Sequence, residues 1–364
     1  MAKKRILMIV PSPLYLEKGS SLRSYGVSEI LSEKYFLDIV MYNMGSDFTL
    51  QNTNIHRTFS FYSPVLQVGK PSFSKIILDF FLFIKSFRLI SKKKHDIIHC
   101  EDFEGAFIGY VLSFFFPNKK MVYNLHNRIE DNLYQNNERS IIIPFALFFE
   151  KLIVKRMNLI ILNWEKYSKD KIFKKKKKFL FYDKISLEDY PCNLPSNKYI
   201  IYVGNFRKVQ GILEFLEGFM EIKTDVKLVL VGSLSKEIKN QIEQKNLKDR
   251  VLILGKLPLQ KTNYLIKNSL FAVLPRLKGA AMKMINYLML SKIILAKDTI
   301  YSRELLKDNF NSFLYKDKED LKKKLNFLLD GNFNESSIKE GIQETKKKII
   351  KNWSKERFLK EYEK

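Results

Sequence analysis

Short β-branched runs that alternate with helical stretches restrict this chain to open, mostly parallel sheets with helices on both faces. Arg5–Val10 ends in Pro11-Ser-Pro13, passes through a loop with Gly19-Ser-Ser21, and gives way to a helical pattern over 22–34 before the next strand at 37–42. A strand, a crossover helix and a second strand of this length form a βαβ unit, whose strands run parallel. Further runs at 96–99, 121–125 and Leu159–Leu162 are separated by helical stretches. One doubly wound domain accounts for the first half.

A second series begins after Tyr190-Pro-Cys-Asn-Leu-Pro-Ser196, where prolines and turn residues interrupt the periodicity and mark the expected interdomain linker. Runs at Tyr199–Val203, Lys227–Val231, 251–254, 270–274 and 292–296 alternate with helical patterns near 212–221, 235–245, 261–266 and 282–290. Two Rossmann-like α/β domains in series follow from this order. The 364 residues agree, being too many for one ordinary core and enough for two domains of roughly 150–200 residues. The expected limits are 1–190 and 191–345, with 346–364 as a closing segment. No solenoid period recurs.

Lys and Arg number 64 against 39 Asp and Glu, a formal charge of +25 that attracts polyanions of every kind. Nucleic acid is not the expected partner, because the basic residues are confined to no one element and no reader motif accompanies them. Anionic lipid headgroups and phosphate-bearing small molecules stay open. Cys100 and Cys192 lie far apart with no CxxC or Cys/His cluster, which supports neither a disulfide framework nor a zinc site and fits a reduced, cytoplasmic compartment. The apolar run after Arg5 stops at Pro11, too soon for the core of a signal peptide, and reads as a buried first strand.

Two stretches of the second half point to chemistry. Tyr202-Val-Gly-Asn-Phe-Arg-Lys-Val-Gln-Gly-Ile212 and Gly279-Ala-Ala-Met-Lys-Met-Ile-Asn-Tyr-Leu288 each leave a strand, cross a glycine and enter a helix. Backbone N–H groups and a helix N-terminus in this arrangement hold phosphate. Gly204, Asn205, Arg207, Lys208 and Gln210, with Gly279, Ala280, Ala281 and Met282, are the expected contacts. Lys283, one turn into the second helix, either adds its charge to that phosphate or is a solvated lysine on a lysine-rich surface. Arg207 and Lys208 either supply further charge or occupy a solvent-facing turn.

In this order the motifs resemble those of GT-B glycosyltransferases of the retaining family 4 type, over nearly the whole chain. The cues are the glycine loop after the first strand, Tyr123-Asn-Leu-His-Asn127 at a strand end, Tyr202-Val-Gly204, Leu228-Val-Leu-Val-Gly232 and Val251-Leu-Ile-Leu-Gly255. Trp353-Ser-Lys-Glu-Arg-Phe-Leu-Lys-Glu-Tyr362 looks like the family's terminal helix, which crosses back to the N-terminal domain. The resemblance implies two Rossmann-like domains facing a central cleft, the first binding the acceptor and the second a nucleotide sugar. The family pattern puts Arg after the opening glycine, Lys before the next one and two glutamates beside the donor loop. Here those positions are Asn205, Gln210, Lys278 and Asn286. Together with Lys283-Met-Ile-Asn-Tyr-Leu288 this is similar to a branch lacking the paired glutamates, and we read a variant site rather than a decayed one.

The same resemblance implies that His126 points into the cleft and touches the donor sugar or the acceptor; a helix-capping or core histidine is the alternative. His56, His95 and His99 have no such support. Gly19, Ser20, Ser21 and Arg23, with Asn127, sit where family members bind diphosphate or acceptor, although Ser20 or Ser21 would also serve as a plain helix N-cap. Asp102 and Glu104 follow the run at 96–99, at the carboxyl edge where doubly wound sheets bind ligands, and either orient an acceptor hydroxyl or cap a helix. Asn286 retains hydrogen-bonding capacity toward a ribose hydroxyl. No DxD element qualifies as a metal site, so leaving-group charge would fall to Lys, Arg and backbone dipoles, with no metal and no cofactor beyond the donor substrate.

Two stretches suggest a membrane surface. Residues 73–90 carry Phe73, Ile76, Ile77, Phe80, Phe81, Ile84 and Phe87 among Lys75, Lys85 and Arg88, too interrupted by charge to span a bilayer but able to lie in its interface, or else an ordinary core helix. Lys174-Lys-Lys-Lys-Lys178, bracketed by Phe173 and Phe179, is a polybasic-aromatic patch or else a solvated loop. The expectation is a peripheral enzyme on the cytoplasmic face of the cell membrane that moves a hexose from a nucleotide diphosphate sugar to a lipid or lipid-linked acceptor. The competing reading is a catalytically silent GT-B subunit that binds a sugar nucleotide or a partner enzyme.

Overall fold

The computed structural model describes residues 3–12, 19–45, 48–59, 73–131, 142–182, 186–195, 198–233, 236–244, 247, 249–279 and 282–364. It divides into two compact units, Met1–Lys184 with Asn352–Lys364, and Ile185–Lys351. In the N-terminal unit the elements are β1 (Arg5–Val10), α1 (Gly19–Ser32), β2 (Phe36–Met41), β3 (Thr53–Arg57), α2 (Phe73–Lys92), β4 (Ile97–Glu101), α3 (Asp102–Phe115), β5 (Lys120–Leu125), α4 (Ile142–Arg156), β6 (Leu159–Leu162), the single turn α5 (Glu165–Ser168) and β7 (Lys178–Leu180). Every pairing is parallel, in the order β3-β2-β1-β4-β5-β6-β7. The inner strands are buried on both faces, which is why they read as unbroken apolar runs.

The C-terminal unit holds β8 (Tyr199–Val203), α6 (Ile212–Met220), β9 (Lys227–Val231), α7 (Lys236–Gln244), β10 (Val251–Gly255), α8 (Leu259–Asn268), β11 (Ala272–Leu274), α9 (Met282–Met289), β12 (Ile294–Lys297), β13 (Phe313–Tyr315), α10 (Lys318–Leu329) and most of α11 (Glu335–Trp353). Its sheet is parallel in the order β10-β9-β8-β11-β12-β13. The order reverses between β1 and β4 in one sheet and between β8 and β11 in the other. The carboxyl ends at such a reversal are where an open α/β sheet leaves a crevice for ligand.

Three strands escape the sequence reading: β3, β7 and β13. Each lies at a sheet edge, paired on one side only; β3 is polar through most of its length, Thr53-Asn-Ile-His-Arg57, and β7 and β13 are only three residues long. The linker also needs correction. Asn263 Nδ2 donates to the carbonyls of Ser186 and Glu188 at 3.0 and 2.8 Å, and Lys267 pairs with Asp189 at 3.1 Å, so the chain is fastened to the C-terminal unit before Tyr190 is reached. The closing helix α12 (Lys355–Glu363) buries Phe358 and Tyr362 in the N-terminal core beside Val10, Leu31 and Phe179. Ser354 caps it by accepting from the Arg357 N–H at 3.2 Å.

Candidate functional site

In the C-terminal unit the two glycine loops meet. Gly211 follows a turn of 3-10 helix at 208–210 with φ +66°, and a β-carbon there would fall 2.0 Å from the Pro275 carbonyl oxygen, so glycine is required. Beside it the Leu277 N–H donates to the Val209 carbonyl at 3.0 Å. This close approach joins the first loop to the end of β11.

Lys283 lies where the loops join. Its ammonium donates to the Tyr202 hydroxyl at 3.1 Å and the Gln210 amide oxygen at 3.0 Å, and it stands 4.2 Å from the centre of the Tyr202 ring. Gly204 has φ +146°, and a β-carbon on it would come within 2.4 Å of Lys283 Nζ. The bare glycine admits the ammonium to the strand end. Burial, and then the charge of Arg276, push Lys283 well below the usual lysine range. None of those contacts is a carboxylate. Tyr202 donates in turn to the Asn205 carbonyl at 2.5 Å, and Tyr287 accepts from the Val203 N–H at 3.0 Å, so the surround is rigidly hydrogen bonded.

The other expected contacts are distributed around this centre. Gln210 is buried against Lys283, whereas Asn205 and Lys208 are exposed and Arg207 is half-exposed. Gly279 is buried and its carbonyl accepts from Arg276 Nε at 2.9 Å; Ala280 and Ala281 lie outside the described residues. Met282 opens α9. Asn286 is buried and donates to Asn263 at 3.3 Å, with its carbonyl oxygen lacking a partner among the described residues. Thr299, Tyr301 and Ser302, which sequence reasoning missed, line a recess together with Arg276, Gly279 and Met284. Their signal was their place after a strand, at the same carboxyl edge.

In the N-terminal unit His126 is 4% exposed, and its Nε2 bonds to Glu101 Oε2 at 2.7 Å. Glu101 also binds His99 Nε2 at 2.8 Å, Ser24 Oγ at 2.7 Å and, with both oxygens, Asn124 Nδ2 at 3.0 Å. Burial alone would raise the Glu101 carboxyl, but the hydrogen bonds from His126 and His99 hold it well below the ordinary value. Burial lowers His126, and the bond to Glu101 with the charges of Asp102 and Glu101 more than reverses this, so its pKa is raised. His126 Nδ1 is buried without a partner among the described residues.

Arg23, expected at a ligand-facing edge, is instead 3% exposed and braces this cluster. Its Nε and one terminal nitrogen donate to Asn124 Oδ1 at 3.0 and 2.7 Å, and the other terminal nitrogen to the Phe181 carbonyl at 3.1 Å. Gly19 and Ser20 open α1, Ser21 is buried, and Asn127 is half-buried. Asp102 begins α3 with φ +55° and accepts from the N–H of its neighbour Phe103 at 2.9 Å, while no side chain caps that helix start. Glu104 pairs with Lys75, and Tyr42 donates to Asp79, whose carboxyl is pushed up to about 7 by burial and by Glu104. Glu101, His99 and Asn124 were missed. The available signal was period two: His99 and Glu101 fall on one face of β4, and the register sets Glu101 opposite Asn124. His56 and His95 belong elsewhere, on the buried Asp38 at 2.7 and 3.0 Å.

The expected basic patch also changes. Phe173 and Phe179 are buried, the first under Arg128 and the second against Phe358, and so cannot flank the lysines at a surface. Lys176 donates to the carbonyls of Lys155 and Met157 at 2.6 and 2.9 Å, leaving Lys174, Lys175 and Lys177 exposed. Aromatic exposure lies instead on three adjoining helices: Phe73 and Phe80 on α2, Phe107, Phe114 and Phe115 on α3, and Phe145, Phe148 and Phe149 on α4. Among the described residues no helix is long and apolar enough to cross a membrane.

No curated protein sequence matches the chain. Solved structures similar to it include sucrose-phosphate synthase from Thermosynechococcus elongatus, at 17% identity over 96% of this chain and 95% of that one, with a TM-score of 0.76. HepE from Anabaena, in complex with UDP and glucose, is 14% identical over 97% of each chain, with a TM-score of 0.72. The lipopolysaccharide outer core galactosyltransferase WaaB, in its apo form, is 15% identical over 98% and 99%, with a TM-score of 0.67. The fold is therefore that of the GT-B glycosyltransferases, and within it residues 193–353 match the sequence model of the family described as glycosyl transferases group 1.

Proposed function

We propose that the chain is a glycosyltransferase whose C-terminal unit holds the diphosphate of a nucleotide sugar against Lys283. The observation that carries this reading is the company of that lysine: a phenol, an amide and an aromatic face. Burying an ammonium costs several kcal/mol unless an opposite charge answers it. A diphosphate would answer it, and the N-terminus of α9 adds a favourable dipole. When the sugar leaves, negative charge collects on the departing phosphate oxygen, where a fixed cation lowers the barrier. The family match over 193–353 supports sugar transfer, and the UDP bound by HepE makes uridine diphosphate the first nucleotide to try.

The finer reading is a hexose transferred with retention to a lipid or lipid-linked acceptor at an anionic membrane surface on the cytoplasmic side. Retention rests on the resemblance to family 4. The membrane rests on the exposed phenylalanines of α2, α3 and α4 and the net charge of +25, the combination that binds an anionic interface. The test is calorimetric titration with UDP, followed by transfer assays on a panel of nucleotide sugars with and without anionic liposomes. Absence of any nucleotide diphosphate binding overturns the reading. The uncharged residues at Asn205, Gln210 and Asn286 favour a second one, the silent sugar-nucleotide-binding subunit, and binding without transfer or hydrolysis would establish it.

A further inference from the structure

We propose that Glu101 is the positioning residue of His126: it accepts the Nε2–H of that imidazole and so leaves Nδ1 as the one ring atom offered to a hydroxyl of the sugar ligand. The inference rests on the glycosyltransferase reading, because His126 is taken to meet that ligand. Its own grounds are the geometry of the N-terminal unit.

The carboxylate of Glu101 is fully buried and accepts from His126, His99, Ser24 and Asn124. Two of these donors, His99 and Asn124, are fixed from behind. The Glu101 carboxylate only accepts, so His99 gives it the Nε2–H, and Nδ1 of the neutral ring is left to accept from the Tyr362 hydroxyl 2.9 Å away, which pins the imidazole at both nitrogens. Arg23 grips Asn124 Oδ1 with two nitrogens, which turns the amide N–H2 toward Glu101. A carboxylate so constrained leaves His126 one orientation. At the far side of that ring Nδ1 is buried and unpartnered among the described residues, although buried polar atoms are nearly always paired. His126 directly follows β5, at the carboxyl edge of the sheet and near the reversal between β1 and β4. The unanswered atom therefore lies where such a sheet takes ligand.

The charged groups facing His126 are Glu101 at the end of β4, Asp102 at the start of α3 and Arg23 on α1; the two carboxylates raise its pKa, and burial and Arg23 lower it. Nδ1 accepts a hydroxyl hydrogen only when the ring is neutral, so turnover rises with pH through that raised pKa. Removing the charge of Glu101 moves the rise to lower pH.

The test combines histidine 15N spectra with pH profiles of sugar transfer for the wild type, Glu101→Gln and His126→Ala. Above its pKa the wild-type His126 should carry its proton on Nε2. Glu101→Gln should lower the His126 pKa, move the pH limb with it, and reduce kcat about 100-fold, the cost of a misplaced group, with the donor KM nearly unchanged. A wild-type proton on Nδ1 overturns the proposal. An active wild type whose pH limb and kcat survive Glu101→Gln also overturns it, while leaving the glycosyltransferase reading intact. A wild type that transfers from no nucleotide sugar ends both. Should Glu101→Gln not fold, the wild-type tautomer, which needs no variant, still decides.

Discussion

Glu101 of the N-terminal unit and Lys283 of the C-terminal unit both stand at the carboxyl edge of a parallel sheet, beside the strands where its order reverses. Their surroundings differ. The carboxylate is met by two imidazoles, a hydroxyl and an amide, with His99 held by Tyr362 and Asn124 by Arg23, whereas the ammonium has only neutral partners among the described residues. The titration shifts reflect this contrast: donors keep Glu101 ionised against its burial, and burial with Arg276 pushes Lys283 toward its neutral form. A saturated buried charge maintains shape and orients a neighbour. An unsaturated one is ready for a ligand of opposite sign.

Four measurements can break or sharpen this comparison. The largest effect is expected from Glu101→Ala, which strands His99, His126, Ser24 and Asn124; breaking a buried charged network costs about 3–5 kcal/mol, read by denaturant unfolding. A loss below about 1 kcal/mol would mean that the cluster is not the saturated one described, since one net hydrogen bond is worth that much. Lys283→Met should behave in the opposite way, leaving the ligand-free protein as stable as before or more so. It should also weaken UDP binding by about 1.5–3 kcal/mol, the worth of a charge-assisted bond. Equal binding by calorimetry would remove Lys283 from the phosphate site.

The third test uses pH. The pKa of Lys283 is depressed in the free protein, and a bound diphosphate would raise it, so binding takes up a proton between the two values. Affinity should be constant below the depressed value and fall up to about tenfold per pH unit above it, or about 1.4 kcal/mol per unit, until the pKa of the complex is passed. Stability of the N-terminal unit follows the other sign. The contribution of Glu101 is complete above the unfolded carboxyl pKa of 4.5 and is lost as pH falls through the depressed folded value. The smallest effect, residue for residue, concerns surfaces. Replacing Lys174, Lys175 or Lys177 by Gln should weaken salt-sensitive binding to anionic vesicles by about 1 kcal/mol per lysine and leave UDP affinity unchanged. Vesicle binding insensitive to both salt and these changes would assign it to the exposed phenylalanines instead.

Much of the C-terminal site was legible because its parts are local. A glycine at a strand end followed by a helix is a local pattern, and Gly204, Gln210 and Lys283, which the structure brings together, could be named from it. Of the cluster around His126, the sequence singled out that residue, Arg23 and Asp102 but not Glu101, His99, Asn124 or Ser24, which join them. His99 and Glu101 interrupt the apolar run of β4 and so weaken the strand signal, yet that interruption is what the cluster is built from. The lysine run at 174–178 misled for a related reason: charge density says nothing about whether the neighbouring Phe173 and Phe179 turn inward.

Sequence alone determined the two parallel sheets and their central strands, because a strand covered on both faces must be apolar throughout, and it determined the loops where a glycine is sterically required. Only the tertiary structure decided three of the four edge strands, β3, β7 and β13, which are short or polar and pair on one side, and the meetings between distant residues. Lys283 and Gln210 are 73 residues apart, and Tyr362 and His99 are 263 apart. No local pattern encodes such pairs. They exist because closing the sheet and docking α12 bury these polar groups together, where each must find a partner or pay for desolvation.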